Sequence, residues 1–381
     1  MAVELLTYED CVQHLTDVLD MVTTSGTRLG RLARIAIDNV YRDLPYRRRW
    51  RYYERRATFE TVASYSTGTI AFDYTGGSSE RLVTLTTGTF PSWAKFGRII
   101  IDDVHYRIAT NPSSTTLTLY EEDNPGEDVA SGTTYTLYRN EYALPTDFRR
   151  IIRLYDTEDE QEIPLVDFAD AQRMLIGVDD TPDTPRFAYV RNTGDYMGVW
   201  SVEFSPPPSA ARTYDISYEA KPRDILTASY TTGTVSTSGT TATFSASGLP
   251  TSVLPGAVVR FSSDATAVTN KFGSNPFIEQ RVLVAKTSAT VWTLDQALTT
   301  DATSDAYSVS DPIDVHPGAM TTAFLRMIEA ECAKLLNMKD YGERFAVAQR
   351  ALMQAIENEP SSQYANELPQ YPARISWTTE S

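Results

Sequence analysis

Six arginines, Arg47, Arg48, Arg49, Arg51, Arg55 and Arg56, fall within ten residues, with Trp50, Tyr52 and Tyr53 among them. Guanidinium groups grip phosphate or carboxylate in a planar fork, and aromatic rings between them offer platforms for stacked bases. The composition therefore suits a nucleic-acid backbone, or ion pairing with an acidic surface of this chain or of a neighbouring subunit. The chain as a whole favours the second. Its 34 basic residues face 50 acidic ones, a net charge of -16, which opposes non-specific adhesion to nucleic acid over most of the surface. Arg28, Arg31 and Arg34, three apart on a predicted helix, form a second polar stripe with the same two readings.

Residue types that do catalysis are sparse. His14, His105 and His316 are the only histidines, on a predicted helix, strand and turn, and their spacing suits neither a metal set nor a nucleophile relay. Asp102-Asp103, Asp179-Asp180 and Glu158-Asp159-Glu160 read as solvated turn residues, not as the paired carboxylates of a hydrolase. The stretch Ser25-Gly26-Thr27-Arg28-Leu29-Gly30 lacks the lysine and the preceding strand of a phosphate loop. Cys11 and Cys332 both sit in predicted helices and read as core thiols. The expectation is a protein that is not an enzyme and has no cofactor and no metal. No window approaches the roughly 20 apolar residues of a membrane span. Glu4, Glu9, Asp10 and Asp17 do not suit a secretory signal, so synthesis in the cytoplasm and no membrane partner are expected.

The elements that must position these residues alternate. Cys11, Leu15, Val18, Leu19 and Val22 recur at helical spacing, Thr23-Thr24-Ser25-Gly26 breaks the run, and Leu29, Leu32, Ala36, Val40 and Leu44 make the stripe of a second helix that Pro45 ends. From Ser66 the composition turns to Thr, Ser, Gly, Val, Ile and aromatics, and it does so again near Tyr230. Thr67-Gly68-Thr69 and Thr232-Gly233-Thr234 open the two stretches, Gly88 and Gly248 punctuate them, and Tyr135 to Tyr138 and Tyr307 to Val309 close them. One module type therefore occurs twice. Each copy reads as a small antiparallel sandwich or barrel inserted with its ends close together.

The resulting expectation is an α+β fold, with a helical framework contributed by both chain ends and two small antiparallel β-sandwich or barrel modules inserted into it. Its segments are a helical hairpin at 1–65, a β module at 66–141 and a mixed segment at 142–229. A second β module at 230–315, framework helices at 316–359 and an extended arm at 360–381 complete the chain. In the mixed segment a helix is predicted around Phe168 to Leu175 and strands at Phe187, Val199 and Thr213. Tyr142 to Tyr155, with Pro145 at its turn, leads from the first module into either a short helix or a re-entering strand. Tyr364, Tyr371, Pro372 and Trp377 make the arm aromatic and proline-rich, the composition of a docking segment.

Several stretches together resemble tailed-bacteriophage head-to-tail adaptor proteins, the tail tubular protein A-like neck or connector proteins. They are the Thr-Gly-Thr module running into Tyr142-Ala143-Leu144-Pro145-Thr146-Asp147-Phe148-Arg149-Arg150, and Glu162-Ile163-Pro164-Leu165 followed by Pro185-Arg186-Phe187-Ala188-Tyr189. Phe204-Ser205-Pro206-Pro207-Pro208 leading into Tyr214-Asp215-Ile216-Ser217-Tyr218, and the closing helix from His316-Pro317, complete the set. The resemblance implies a structural virion protein in a dodecameric ring beneath the portal. Its implied partners are the portal protein, a tail or nozzle protein, other copies of itself, and DNA that passes through the channel without sequence-specific binding. It also implies that the C-terminal arm docks on the portal. The second module, 232–315, departs from the simplest members of that family. The competing expectation is a receptor-binding or decoration protein that uses its β modules as binding sites.

Overall fold

The computed structural model describes residues 5–19, 28–75, 80–174, 181–192, 200–245, 247–262 and 279–358. These form two compact units, one built from 5–53 with 221–358, the other from 54–220. Among the described residues, five α-helices stand against twenty strands: α1 (Tyr8–Leu19), α2 (Arg28–Arg47), α3 (Phe168–Met174), α4 (Ala319–Leu335) and α5 (Tyr341–Glu357). Strands in four antiparallel sheets hold more of the chain than helices do, so the protein is mainly β. The expected α+β fold organised by a helical framework from both ends is overturned. Its error lies in strands that the composition concealed. The end of the arginine run is itself β1 (Glu54–Glu60), whose exposure alternates residue by residue, and the stretch after Pro145 re-enters as the long strand β10 (Phe148–Asp156).

In the first unit α1, α2, α4 and α5 share one core, with Cys11, Leu15, Ala36, Ile37, Leu44, Phe324 and Ile328 fully buried. Each large apolar side chain removed from water there contributes about 1.5–3 kcal/mol. Pro45 lies inside α2, which runs two residues past it to Arg47. The same unit carries a six-stranded sheet in the order β15 (Val235–Ser238), β16 (Thr241–Phe244), β19 (Val291–Leu294), β18 (Glu279–Lys286), β17 (Val258–Phe261), β20 (Tyr307–Ser310). Tyr230 bridges to Val309, and Val235 to Asp305 just before β20, so the sheet curls until its two ends meet as a barrel.

The second unit repeats this construction. Its seven-stranded sheet runs β7 (Val129–Thr133), β2 (Ile70–Asp73), β3 (Leu82–Leu85), β6 (Thr116–Leu119), β5 (Val104–Ser113), β4 (Arg98–Ile101), β8 (Tyr135–Tyr138). Without β7 the order is strand for strand that of the first unit's barrel, and the register agrees as well. Ile70 faces Leu85 as Val235 faces Phe244, Ile99 faces Leu137 as Val259 faces Val309, and Ile108 faces Leu119 as Leu283 faces Leu294. A register shift follows two residues after Ile108 and two residues after Leu283, so even the bulge is repeated. Beside this barrel the unit has two further sheets. One pairs β1, β14 (Thr213–Ala220), β10 and β11 (Gln161–Glu162); the other pairs β12 (Phe187–Asn192), β13 (Trp200–Ser205) and β9 (Glu141–Ala143). Phe59, Tyr142, Phe204 and Tyr214 fill the core between them with ring centroids 4.8–6.1 Å apart.

A short run explains why the duplication is visible in sequence. Ala63-Ser64-Tyr65-Ser66-Thr67-Gly68-Thr69 and Ala228-Ser229-Tyr230-Thr231-Thr232-Gly233-Thr234 differ at one position. In each copy the tyrosine bonds the closing strand through its backbone, the glycine takes a positive φ, and the carbonyl of the threonine just before it accepts the hydroxyl of a buried tyrosine. Tyr135 donates to Thr67 at 2.9 Å and Tyr307 to Thr232 at 2.7 Å.

Candidate assembly surfaces

The arginine run separates into two populations once folded. Its aromatic members belong to the core: Trp50 and Tyr53 are both 1% exposed. Trp50 donates its indole N–H to the Leu44 carbonyl at 2.9 Å, closing the end of α2. Tyr53 and Tyr52 donate to the Asp314 carbonyl at 2.7 Å and to its carboxylate at 2.8 Å. Neither Trp50 nor Tyr53 presents a ring face for a base. The arginines, in contrast, lie outward: Arg47, Arg48, Arg49, Arg51 and Arg56 are exposed and Arg55 is half-buried. Arg47 pairs with Asp43 one turn back, Arg48 donates to the Ile356 carbonyl at 3.2 Å, and Arg56 pairs with Asp215 on β14.

Arg28, Arg31 and Arg34 do not form one stripe. At about 100° per residue, Arg28 and Arg31 fall with Ile35, Arg42 and Tyr46 inside an arc of about 60°, directly opposite the buried Ala33, Ile37, Val40 and Leu44. All five are exposed, Ile35 at 45% and Tyr46 at 64%. Arg34 acts on Glu9 of α1, whose carboxyl is lifted by burial, and on α2 itself Arg42 and then Arg34 oppose the burial that lifts the Asp38 carboxyl. The sequence reading grouped the three by spacing and left Ile35, Arg42 and Tyr46 out; the heptad-like interval between Ile35 and Arg42 is the signal that joins them. Tyr364, Tyr371, Pro372 and Trp377 of the docking arm lie outside the described residues, as do Asp179 and Asp180.

The remaining candidates for chemistry hold structure together. Asp102 and Asp103 both have positive φ and form the two-residue turn between β4 and β5, a role suited to short polar side chains. His105 shares a 2.7 Å hydrogen bond with Tyr138. Asp156 caps the turn at 158–159 and pairs with Arg212, and Glu219, fully buried, pairs with Arg149 and Arg150. His14 lies 2.7 Å from Glu329, which also takes both oxygens of its carboxylate to Arg326. Burial alone would raise the Glu329 carboxyl, but the hydrogen bonds from His14 and Arg326 outweigh it and hold the group below its ordinary value. Its contribution to stability is therefore complete above the unfolded value of about 4.3 and is lost as pH falls through the lower folded value. Burial lifts the Cys332 thiol to about 11 and raises the Cys11 thiol well above its ordinary value, so both remain protonated and unreactive near neutrality.

The second barrel is tied to the helices of its unit by a buried fork. Arg260 on β17, 3% exposed, donates to both oxygens of the fully buried Asp10 on α1 at 2.7 Å each, and Thr7 donates to the same carboxylate through N–H and hydroxyl at 2.8 Å. Where the chain enters and leaves this barrel, Asp311 accepts the backbone N–H groups of Leu226 and Thr227 at 2.8 and 2.7 Å and a guanidinium N–H of Arg223 at 3.2 Å. Entry and exit are thus bonded side by side. Among the described residues no group of three or more His, Cys, Asp or Glu is placed to hold a metal ion, and no helix is long and apolar enough to cross a membrane. Compared with protein-family models, with curated proteins and with solved structures, the chain has no match.

Proposed function

We propose that this protein is a head-to-tail adaptor of a tailed bacteriophage: a virion protein that assembles as a ring beneath the portal, joins capsid to tail and surrounds the DNA channel. The family assignment comes from the sequence resemblance. The observation that carries a structural role is that the side chains suited to chemistry are engaged in folding: Glu219, Asp156, Glu329 and Asp10 are each buried in ion pairs, and Asp102 and Asp103 make a hairpin turn. What the fold offers outward is a basic helix face and those parts of the barrel walls that their own units leave open, such as β16 and the end of β18, which suit contacts with proteins. A surface of net charge -16 around a channel repels phosphate and lets DNA slide.

Purified chain mixed with portal rings tests this by negative-stain electron microscopy. A second ring appended to the portal is expected; portal rings that stay bare under all conditions would contradict the reading. A chain ending at Pro360 should fold and fail to join the portal. Normal joining would remove the arm from the account while leaving the adaptor intact.

A further inference from the structure

Helix α5 buries only part of its apolar surface. Ala348, Leu352 and Ala355 pack into the helical core beside α4 and are buried. At about 100° per residue, Gly342, Phe345, Ala346, Gln349, Met353 and Ile356 fall on the adjoining side inside an arc of about 100° that holds no charged residue. Phe345 is 45% exposed there and Met353 56%. Glu343, Arg350 and Glu357 begin only beyond the edge of that arc. Tyr341, its ring 5.9 Å from that of Phe345, continues the apolar strip at the start of the helix. From Gly342 to Ile356 the strip is about 21 Å long at 1.5 Å per residue.

The sequence that follows α5 matches this strip in composition and in length. Residues 359–381 hold Tyr364, Leu368, Tyr371, Ile375 and Trp377 against four charged residues, Glu359, Glu367, Arg374 and Glu380. Residues 359–363 are enough to reverse the direction of the chain, and Tyr364 to Tyr371 would span about 23 Å if extended, the length of the strip. Pro360, Pro369 and Pro372 fix φ and so lower the entropy lost when such a segment settles on a surface. We propose that in the free chain the segment 364–377 lies along the uncovered face of its own α5, with its aromatic side chains over Phe345 and Met353. Aromatic rings against a thioether are favourable, and the covalent link holds the segment at an effective concentration in the millimolar range, so even a weak contact is occupied. The contact does not depend on the adaptor reading. Only one consequence rests on that reading: a portal that takes the arm must first draw it off α5.

The test is oxidation by hydrogen peroxide, followed at each methionine by mass spectrometry, in the absence of any portal. It compares the full native chain, the full chain with Tyr364→Ser, Tyr371→Ser and Trp377→Ser together, and the chain ending at Pro360. The substitutions lie outside the packed units, so the substituted chain keeps its fold and its melting temperature. Met353 should oxidise at least about fivefold more slowly in the native chain than in either variant, because sulfoxide formation follows exposure. Met174, 51% exposed on α3, should oxidise at one rate in all three. Dilution of the native chain should leave the Met353 rate unchanged, since a contact within one chain does not depend on concentration. Three results would overturn the proposal: a Met353 rate that is the same in all three chains, protection that fades on dilution and so comes from a second copy, or protection that survives the loss of the aromatic side chains. Each leaves the adaptor reading standing, since the appended ring on the portal is a separate observation.

Discussion

In the second barrel every residue of β17 and β20 is buried, on the wall as well as in the core, because α1 lies against the outer side with Asp10 under Arg260. In the first barrel the matching strands β4 and β8 keep their core residues buried, but the outer residues of β4 are half open. By register Ile100 occupies the place of Arg260. Nearby, Arg98 reaches Glu203 on β13 at 3.7 Å with 29% of its side chain exposed. Both copies therefore use the same wall for attachment within their own unit, and the neighbours decide the chemistry of the contact. The inward positions kept their pairings through the duplication, while the outward positions diverged with what each barrel leans on.

The sharpest way to break this comparison is to remove one side of the buried fork. Asp10→Ala leaves the Arg260 guanidinium uncompensated and should cost about 3–5 kcal/mol in urea unfolding, whereas replacing the pair by Asp10→Leu with Arg260→Met should cost less, about 1–3 kcal/mol, because the buried Thr7 N–H and hydroxyl still lose their acceptor. A second contrast lies in the two opening glycines. A β-carbon at Gly68 would stand 2.2 Å from the Thr87 carbonyl oxygen, which is backbone, whereas at Gly233 it would stand 2.6 Å from the Ser245 hydroxyl, which can rotate. Both positions have positive φ, so Gly233→Ala should cost about 1–2 kcal/mol and Gly68→Ala more than about 2 kcal/mol by the same assay. Tyr135→Phe and Tyr307→Phe should cost the same, about 1 kcal/mol each, since each deletes one hydroxyl bonded to an equivalent carbonyl. Unequal values would show that the closing tyrosines are not equivalent. The smallest change is expected from Arg98→Ala, under about 1 kcal/mol, because Glu203 keeps Asn140 at 2.6 Å and Arg191 at 3.1 Å.

The duplication was legible because the positions that close the barrel demand particular residues: glycine for positive φ, tyrosine to span the seam, and threonine on a pleated wall. The helices were legible for the same kind of reason, their apolar stripes recurring at three and four. The balance between helix and strand was not. β1 and β10 are rich in arginine, and Arg55, Arg56, Arg149, Arg150 and Arg153 hide a period of two behind charge. What makes those residues strands is pairing with β14, a contact between residues 58 or more positions apart. At the candidate surface, sequence spacing found Arg28 and Arg31 but left Trp50 and Tyr53 open as stacking platforms in one of its two readings, because composition does not say which side of a turn faces the core.

The measurement that bears most directly on the proposed role is electron microscopy of lysates from a phage in which this gene is disrupted. The account predicts heads without tails, either filled or leaking DNA. Complete, tailed particles that fail to adsorb would contradict it and move the protein to the receptor-binding class, with the barrel walls as the surfaces responsible.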